Sequence, residues 1–431
     1  MINLFYKLKN DERLRNSLWM LVEKSISLFG LIFIISAVAK YTGPKIYGEI
    51  SLAASIFIVL KTIAQSGLDQ IYFKYVSQKK PYHNLFFNNS VLFISISYFI
   101  LSLIIVFVAF FYASSTGFWF IISTAVAYYF SSIDLANSYF EGQLLSKYNV
   151  FANIFGLLIA LALRYIIVFY SLDVLYLCFP IIFMAFVPFL VKIYIFKKKY
   201  CLKDKLNLKN NKITKYFYYF FVTGFPLTLA VLSATINGQV ANFILASISG
   251  VESVGIYSVA FILAGAWCVV PTTIIMSYMT SIYNINYMEK EKYIILASKI
   301  LRFIFILSFI IAVILYISAP YIVSFLYGSQ YYQSVEVMRF LLLMQMIWVM
   351  GFFFSRLIIK YNGFKFLAYK SIVSCLLNLC LTYFFVRKFG VLGAAYAIVV
   401  TEIFSSIIFN LMYQRAQVLN VILQSIGVTK K

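Results

Sequence analysis

The segment LWMLVEKSISLFGLIFIIS, residues 18–36, is long and apolar enough to cross a membrane, yet Glu23 and Lys24 stand side by side within it. About 20 apolar residues in a helix span the hydrocarbon core of a bilayer. Similar runs recur along the 431-residue chain, which is 63% hydrophobic and 12% charged, whereas a soluble domain is about half apolar and a quarter charged. Short alternating strand segments are absent, and a helix satisfies its own backbone amides. The sequence therefore predicts an all-α integral membrane protein.

The apolar runs predict twelve transmembrane helices in two pseudo-symmetric six-helix bundles. The predicted spans lie near residues 17–39, 47–73, 85–112, 116–140, 149–171, 173–196, 217–247, 253–281, 300–319, 335–358, 367–386 and 391–413. The predicted domains are a cytoplasmic N-terminal segment (1–16), an N-terminal bundle (17–196), a basic cytoplasmic linker (197–216), a C-terminal bundle (217–413) and a cytoplasmic tail (414–431).

Charge in the loops predicts the orientation of the chain. Most of the 36 Lys and Arg residues fall in one alternating set of loops, which includes the linker KKKYCLKDKLNLKNNKITK (197–215). Cytoplasmic loops carry such an excess, so both termini are predicted to be cytoplasmic. The net charge of +22 is then a topology signal and does not predict nucleic-acid binding, although the linker could contact anionic lipid headgroups. The first span lacks the cleavage site of a signal peptide, and no disulfide is expected among the five cysteines.

An internal repeat links the two predicted bundles. Span 2 opens with GPKIYGEISLAA (43–54) and span 8 with GVESVGIYSVA (250–260), so that Gly43 and Gly48 match Gly250 and Gly255 in spacing. Because equivalent spans of the two bundles cross the membrane in the same direction, the two repeats are parallel. They are then related by a pseudo-axis along the membrane normal. Such small residues could also serve only close helix packing.

Three segments resemble the polysaccharide-transporter branch of the MOP (multidrug/oligosaccharidyl-lipid/polysaccharide) superfamily, which includes Wzx-type O-antigen flippases and, more distantly, MurJ and the MATE exporters. They are KYTGPKIYGEISLAASIFIVLKTIAQSGLDQIYFKYV (40–76), ISGVESVGIYSVAF (248–261) and FGVLGAAYAIVVTE (389–402). The resemblance implies a MATE-like fold in the bacterial cytoplasmic membrane and an undecaprenyl-pyrophosphate-linked oligosaccharide as substrate. One departure lies in span 7, where the family often carries an acidic residue and this chain reads INGQVANF.

Charged residues inside the spans are costly, at about 2.5–3.5 kcal/mol each at a helix centre. Lys192, Arg356 and Lys370 lie near cytoplasmic helix ends and are predicted to snorkel to the interface. In spans 2, 4, 5, 7 and 11, polar residues recur at helical spacing and so form a polar stripe along one face of each helix. Five such stripes favour a shared polar lumen over isolated helix–helix hydrogen bonds. Glu23 and Lys24 are predicted to face this lumen. The alternative is an interfacial ion pair at the end of span 1.

The residues predicted to line the lumen divide by their chemistry. Those expected to bind substrate are Lys24, Lys61, Arg164, Arg339, Asn153, Asn237, Gln239, Asn242 and Asn378. Those considered for coupling to H⁺ or Na⁺ are Glu23, Asp69 and Asp134. Glu402 is a further candidate for this role, and the alternative is that Ser405 and Ser406 simply bury it.

Cations and uncharged hydrogen-bonding groups suit a pyrophosphate that carries sugars, so the predicted function is a flippase that works by alternating access. A MATE-like multidrug exporter is the alternative, but a cavity for cationic drugs should favour acidic residues. A membrane-bound polymerase or acyltransferase is a weaker alternative, because the single histidine, His83, lies in a loop and no metal-ligand or nucleotide motif occurs. No catalytic residue, metal or cofactor is therefore predicted. The expected partners are the lipid-linked substrate, membrane lipids and other polysaccharide assembly proteins.

Overall fold

The computed structural model describes residues 19, 23–24, 26–27, 30–78, 83–199, 213–285, 289–413 and 418–425. These residues are almost entirely helical, and ten of their helices are long and apolar enough to cross a membrane. The predicted all-α membrane fold is therefore confirmed. The helices are α1 (Ser36–Gln65), α2 (Leu68–Ser77), α3 (His83–Tyr112), α4 (Ser115–Ile133), α5 (Leu135–Gly142), α6 (Ser146–Phe169), α7 (Cys178–Lys199), α8 (Ile213–Ile248), α9 (Val251–Gly265), α10 (Val269–Asn284), α11 (Lys290–Tyr327), α12 (Ser334–Lys360), α13 (Phe364–Glu402), α14 (Phe409–Leu411) and α15 (Val418–Ser425).

Three of the ten membrane helices, Ile32–Gln65, Lys290–Tyr327 and Phe364–Leu411, exceed 30 residues, and the first and the third are interrupted. Ile32–Gln65 has 34 residues and Phe364–Leu411 has 48, which at 1.5 Å per residue gives about 51 and 72 Å against a hydrocarbon core of about 30 Å. Each contains a glycine with non-helical backbone, Gly43 (φ 77°, ψ 170°) and Gly390 (φ 58°, ψ −131°). Glycine adopts positive φ without steric cost. Each of these two interrupted helices therefore covers parts of two of the twelve predicted spans.

Two predicted spans are broken near one end. Span 2 was predicted to continue to residue 73, but α1 ends at Gln65 because Ser66 (φ 47°) and Gly67 (φ 68°) both take left-handed backbone conformations. Span 4 was predicted as one helix over 116–140. Asp134 (φ −76°, ψ 62°) instead separates α4 from α5 and caps the start of α5.

The helices divide into two compact units. The first comprises Met1–Thr42 and Glu49–Thr235, and the second comprises Gly43–Gly48 and Ile236–Lys431. An aromatic cluster from α2, α3, α5 and α7 forms part of the core of the first unit, with Tyr72, Phe87, Phe140 and Phe196 almost fully buried. Most of the predicted linker, like the N-terminal segment 1–16, lies outside the described residues, so the predicted domain boundaries stay predictions.

The repeated glycines meet inside the second unit. A Cβ atom on Gly48 would lie 2.0 Å from the carbonyl oxygen of Val251, and one on Gly255 would lie 2.0 Å from that of Pro44. The two segments thus approach each other through backbone atoms, in a reciprocal contact that only glycine permits. At equivalent places in the two segments, Gly43 (φ 77°) and Gly250 (φ 85°) share a positive φ. The close backbone contact therefore explains why glycine recurs at the same places in the two segments.

Candidate functional site

A cavity of about 490 Å³ lies in the first unit, between α1, α4, α6 and α7. Close packing of two helices shapes one wall, because a Cβ atom on Gly156 of α6 would lie 2.4 Å from the ring of Pro188 on α7. Pro188 also has no backbone N–H, so a carbonyl one turn earlier in α7 loses its helical donor. The cavity is lined by Ile50, Ala54, Ile58, Lys61, Thr124, Ala127, Tyr128, Ser131, Asp134, Asn153, Arg164, Ile181, Met184, Ala185, Pro188 and Lys192.

Cations dominate the charge of this cavity. Lys61, Arg164 and Lys192 face a single carboxylate, Asp134, which gives the lining a formal net charge of +2. The ammonium group of Lys61 donates to Ser131 Oγ at 2.7 Å, and Arg164 Nη2 lies 3.9 Å from the thioether sulfur of Met184. A hydroxyl does not neutralise a positive charge, so the contact with Ser131 keeps the charge of Lys61 at the wall of the cavity.

Lys192 and Asp134 form the ion pair of the cavity. Lys192 Nζ lies 2.8 Å from Asp134 Oδ2, and the two side chains are only 5% and 12% exposed. Lys192 Nζ also donates to Asn137 Oδ1 at 3.2 Å. Asp134 lies at the break between α4 and α5, and Lys192 lies on α7, so the ion pair connects this break to α7. Lys192 was predicted to snorkel, and that prediction is wrong because the lysine has an internal counter-charge.

The charged dipeptide of the first span contacts the cavity through Glu23. Its carboxylate accepts a hydrogen bond of 2.6 Å from Asn153 Nδ2, and Asn153 lines the cavity. Lys24 is exposed. Asp69 lies in the first turn of α2, where a carboxylate favours the helix N-terminus.

Four of the amides predicted to bind substrate lie in the second unit and form hydrogen bonds in two pairs, Asn378 with Asn237 and Asn242 with Gln239. Asn378 Nδ2 donates to Asn237 Oδ1 at 2.9 Å and to the Asn237 carbonyl at 3.0 Å, while Thr382 donates to Asn378 Oδ1 at 2.9 Å. Asn242 Nδ2 donates to Gln239 Oε1 at 3.3 Å. Asn378 is almost fully buried, and its hydrogen bonds to Asn237 connect α13 to α8.

The remaining intramembrane charges also lie in the second unit. Glu402 is buried and accepts a hydrogen bond from Ser406, one of the two serines considered from the sequence. Lys370 Nζ, predicted to snorkel, donates to Asn410 Oδ1 at 3.0 Å. The guanidinium of Arg356 lies 4.7 Å from the centre of the Phe352 ring. Arg339 lines a separate groove between α11 and α12.

Sequence reasoning brought Lys61, Arg164, Asn153 and Asp134 to this site and missed Lys192. The missed signal is a stripe on α7, where Met184, Pro188 and Lys192 recur at intervals of four residues and so share one helix face. Depth along the span suggested snorkelling, but the face of the helix decides where the side chain lies.

The lining of the cavity, with three cations and one carboxylate, suits an anion. No group of three or more His, Cys, Asp or Glu residues that could hold a metal occurs in the part of the chain that the structure describes. Positive charge, hydroxyls and an amide in one cavity are the groups that bind phosphate and sugar oxygens.

Residues 13–283 match the sequence profile of a family described as "Polysaccharide biosynthesis protein". The chain belongs to this family. The match covers more than half of the sequence and includes every residue that lines the cavity.

Solved structures of transporters share the fold of this family member. "Lipid II flippase MurJ, inward closed conformation" matches with a TM-score of 0.66 and 14% identity, over 96% of this chain and 91% of that one. An inward-facing multidrug resistance MATE family transporter of the MOP superfamily matches with a TM-score of 0.60 and 15% identity, over 95% of each chain. The eukaryotic MATE transporter AtDTX14 matches with a TM-score of 0.58 and 13% identity, over 96% of this chain and all of that one. At such identities the likeness shows the fold alone. No curated protein sequence matches the chain.

Proposed function

We propose that this member of the polysaccharide biosynthesis protein family is a flippase and not an enzyme. It moves an undecaprenyl-pyrophosphate-linked oligosaccharide, an O-antigen or similar repeat unit, from the inner to the outer leaflet of the bacterial cytoplasmic membrane. The observation that carries this proposal is the cavity of the first unit, whose lining has an excess of two positive charges. Both termini lie in the cytoplasm in this proposal, as the Lys and Arg content of the loops predicts.

The lining residues suit the two parts of such a headgroup. Lys61 and Arg164 bind the pyrophosphate, since Arg offers a planar fork of donors and Lys a mobile point charge. Asn153, Thr124 and Tyr128 offer hydrogen bonds to sugar hydroxyls. The polyprenyl tail stays in the bilayer, because moving it through a polar cavity would expose apolar surface at a cost of about 0.8 kcal/mol per CH₂.

Transport follows alternating access, driven by an ion gradient or by the substrate gradient. Asp134 is the acidic residue best placed to couple H⁺ or Na⁺, because it lines the cavity and is paired with Lys192. A pyrophosphate that attracts Lys192 would release Asp134 to take up a cation. Other polysaccharide assembly proteins are the proposed partners in the membrane.

Headgroup translocation in proteoliposomes tests the proposal. A fluorescent undecaprenyl-pyrophosphate oligosaccharide is placed in one leaflet, and its appearance in the other is followed with an impermeant quencher. We expect Lys61→Ala and Arg164→Gln each to lower the rate about tenfold or more, since a hydrogen bond to a charged group contributes about 1.5–3 kcal/mol. Lys61→Arg should retain most of the activity.

The matched control is Lys147→Ala, which removes one lysine from the exposed first turn of α6, outside the cavity lining. It should translocate at the wild-type rate. Normal translocation by a Lys61→Ala/Arg164→Gln double variant would contradict the proposed site. A wild-type protein that moves no such lipid but exports a cationic drug would favour the MATE-like exporter.

A further inference from the structure

A second recess belongs to the second unit. It is a groove of about 560 Å³ between α11 and α12 in the second unit. Its walls are mainly apolar and include Phe309, Val313 and Leu343, which are 52%, 39% and 46% exposed. In a membrane helix, exposed apolar side chains face lipid acyl chains. The groove is therefore open to lipid.

Two opposite charges interrupt this apolar wall. Glu336 and Arg339 both line the groove and lie one helical turn apart on α12. They do not form an ion pair with each other, nor does either pair with another described residue. The guanidinium of Arg339 lies 4.8 Å from the centre of the Tyr316 ring, and its buried Nε has no hydrogen-bond partner among the described residues. A cation at this position is costly without an anion, so a ligand that supplies one would stabilise the groove.

The polarity of the groove changes in a fixed order along α12. Glu336 lies in the first turn, Arg339 follows about 4.5 Å deeper at 1.5 Å per residue, and Leu343 and Met346 follow in turn. On α11, which the turn at Ser329–Tyr331 joins to α12, Tyr316 lies nearer that turn than Phe309. From the membrane surface inward, the groove thus presents an anion, then a cation, then apolar side chains.

A glycerophospholipid with an ethanolamine headgroup has the complementary order of ammonium, phosphate and acyl chain. We propose that the groove binds such a lipid from the leaflet at the α11–α12 turn, which is the outer leaflet in the proposed orientation. Its phosphate accepts hydrogen bonds from Arg339, its primary ammonium donates to Glu336, and one acyl chain lies against Leu343 and Met346. A bidentate Arg–phosphate contact is among the strong charge-assisted hydrogen bonds.

Native mass spectrometry of the purified full-length protein tests this lipid site. The protein is mixed with phosphatidylethanolamine, phosphatidylcholine or phosphatidylglycerol of identical acyl chains, and the retained lipid is measured. We expect the wild type to retain phosphatidylethanolamine about tenfold better than phosphatidylcholine, because a trimethylated ammonium cannot donate a hydrogen bond to Glu336. Glu336→Gln should abolish that preference, and Arg339→Gln should lower the retention of all three lipids.

The matched control is Arg387→Gln. The Arg387 guanidinium also lies 4.8 Å from a tyrosine ring, that of Tyr383, but Arg387 is not among the residues that line the groove. This variant should bind lipid as the wild type does. Wild-type retention that is equal for the ethanolamine and choline lipids, or greater for phosphatidylglycerol, would overturn the proposal. If Arg339→Gln does not yield folded protein, Glu336→Gln decides, because Glu336 is exposed in the first turn of its helix.

Discussion

Lys192 and Asp134 form an ion pair between two largely buried side chains. Their charged atoms lie 2.8 Å apart, and their side chains are 5% and 12% exposed. Desolvation cancels much of the attraction within such a pair, so the pair itself adds little net stability. Removing only one partner is different, since it leaves a buried charge without compensation.

We therefore expect Asp134→Asn to lower the free energy of unfolding by about 3–5 kcal/mol. The measurement is denaturant unfolding of the purified protein in mild detergent, followed by tryptophan fluorescence. Lys192→Met in the Asp134→Asn background should recover most of the loss, because it removes the uncompensated cation as well.

The exposed pair Lys292–Glu289 provides the control for this experiment. Its charged atoms lie 3.0 Å apart, but the side chains are 72% and 46% exposed. Glu289→Gln should therefore change stability by less than about 1 kcal/mol. Equal effects of Asp134→Asn and Glu289→Gln would show that burial of the first pair does not matter for stability.

At the scale of helices, the repeated glycines decide how two segments of the second unit pack. Gly48→Ala would place its methyl carbon 2.0 Å from the Val251 carbonyl oxygen, and Gly255→Ala would do the same at Pro44. The obstacle in each case is backbone and cannot rotate away. We expect each variant to lower the free energy of unfolding by about 1–3 kcal/mol, measured in the same unfolding assay.

Gly238→Ala is the matched control, because Gly238 lies within α8 and nothing lies within 4 Å of where its Cβ atom would be. Alanine is favoured over glycine in a helix by about 1 kcal/mol, so this variant should be neutral or more stable. The packing interpretation fails if Gly48→Ala is as stable as Gly238→Ala.

Hydropathy predicted the helices well because it reports a property of each segment by itself. Span lengths and the need to satisfy backbone amides are enough to place a run such as residues 85–112 in the membrane. The break at Asp134 was missed because a contact that accompanies it comes from another helix, α7, where Lys192 donates to Asp134 Oδ2 and to Asn137 Oδ1. Ser66, with its left-handed backbone (φ 47°), was missed because serine rarely adopts that conformation.

At the scale of the molecule, the candidate site was predicted in part. Lys61, Asp134, Asn153 and Arg164, predicted from separate spans to line a shared lumen, all line one cavity. The same reasoning cannot distinguish a stripe that faces a cavity from one that bonds to a neighbouring helix. Asn378 shows this, since its amide is already used by Asn237 and Thr382. The packing of the helices decides which polar groups remain for a ligand.

The orientation of the chain can be tested with single cysteines in a background without the five native ones. Tyr332 and Phe364 are 66% and 59% exposed, at the two ends of α12. In intact cells an impermeant maleimide should label Tyr332→Cys and not Phe364→Cys, because Lys360 and Lys365 place the second end in the cytoplasm.

Detergent-permeabilised cells serve as the control, and both variants should be labelled there. The reverse pattern in intact cells would place both termini outside and would exclude the proposed direction of transport.

Gly250 and Gly390 both adopt backbone conformations that L-amino acids avoid. Both have positive φ, 85° and 58°, and neither has any atom within 4 Å of the position a Cβ atom would occupy. A side chain therefore has room at both places, and what excludes it is the chirality of the L-amino acids. D-alanine prefers the mirror-image backbone angles and so matches the positive φ of both sites. Of the twenty encoded amino acids, only the achiral one meets this requirement without strain.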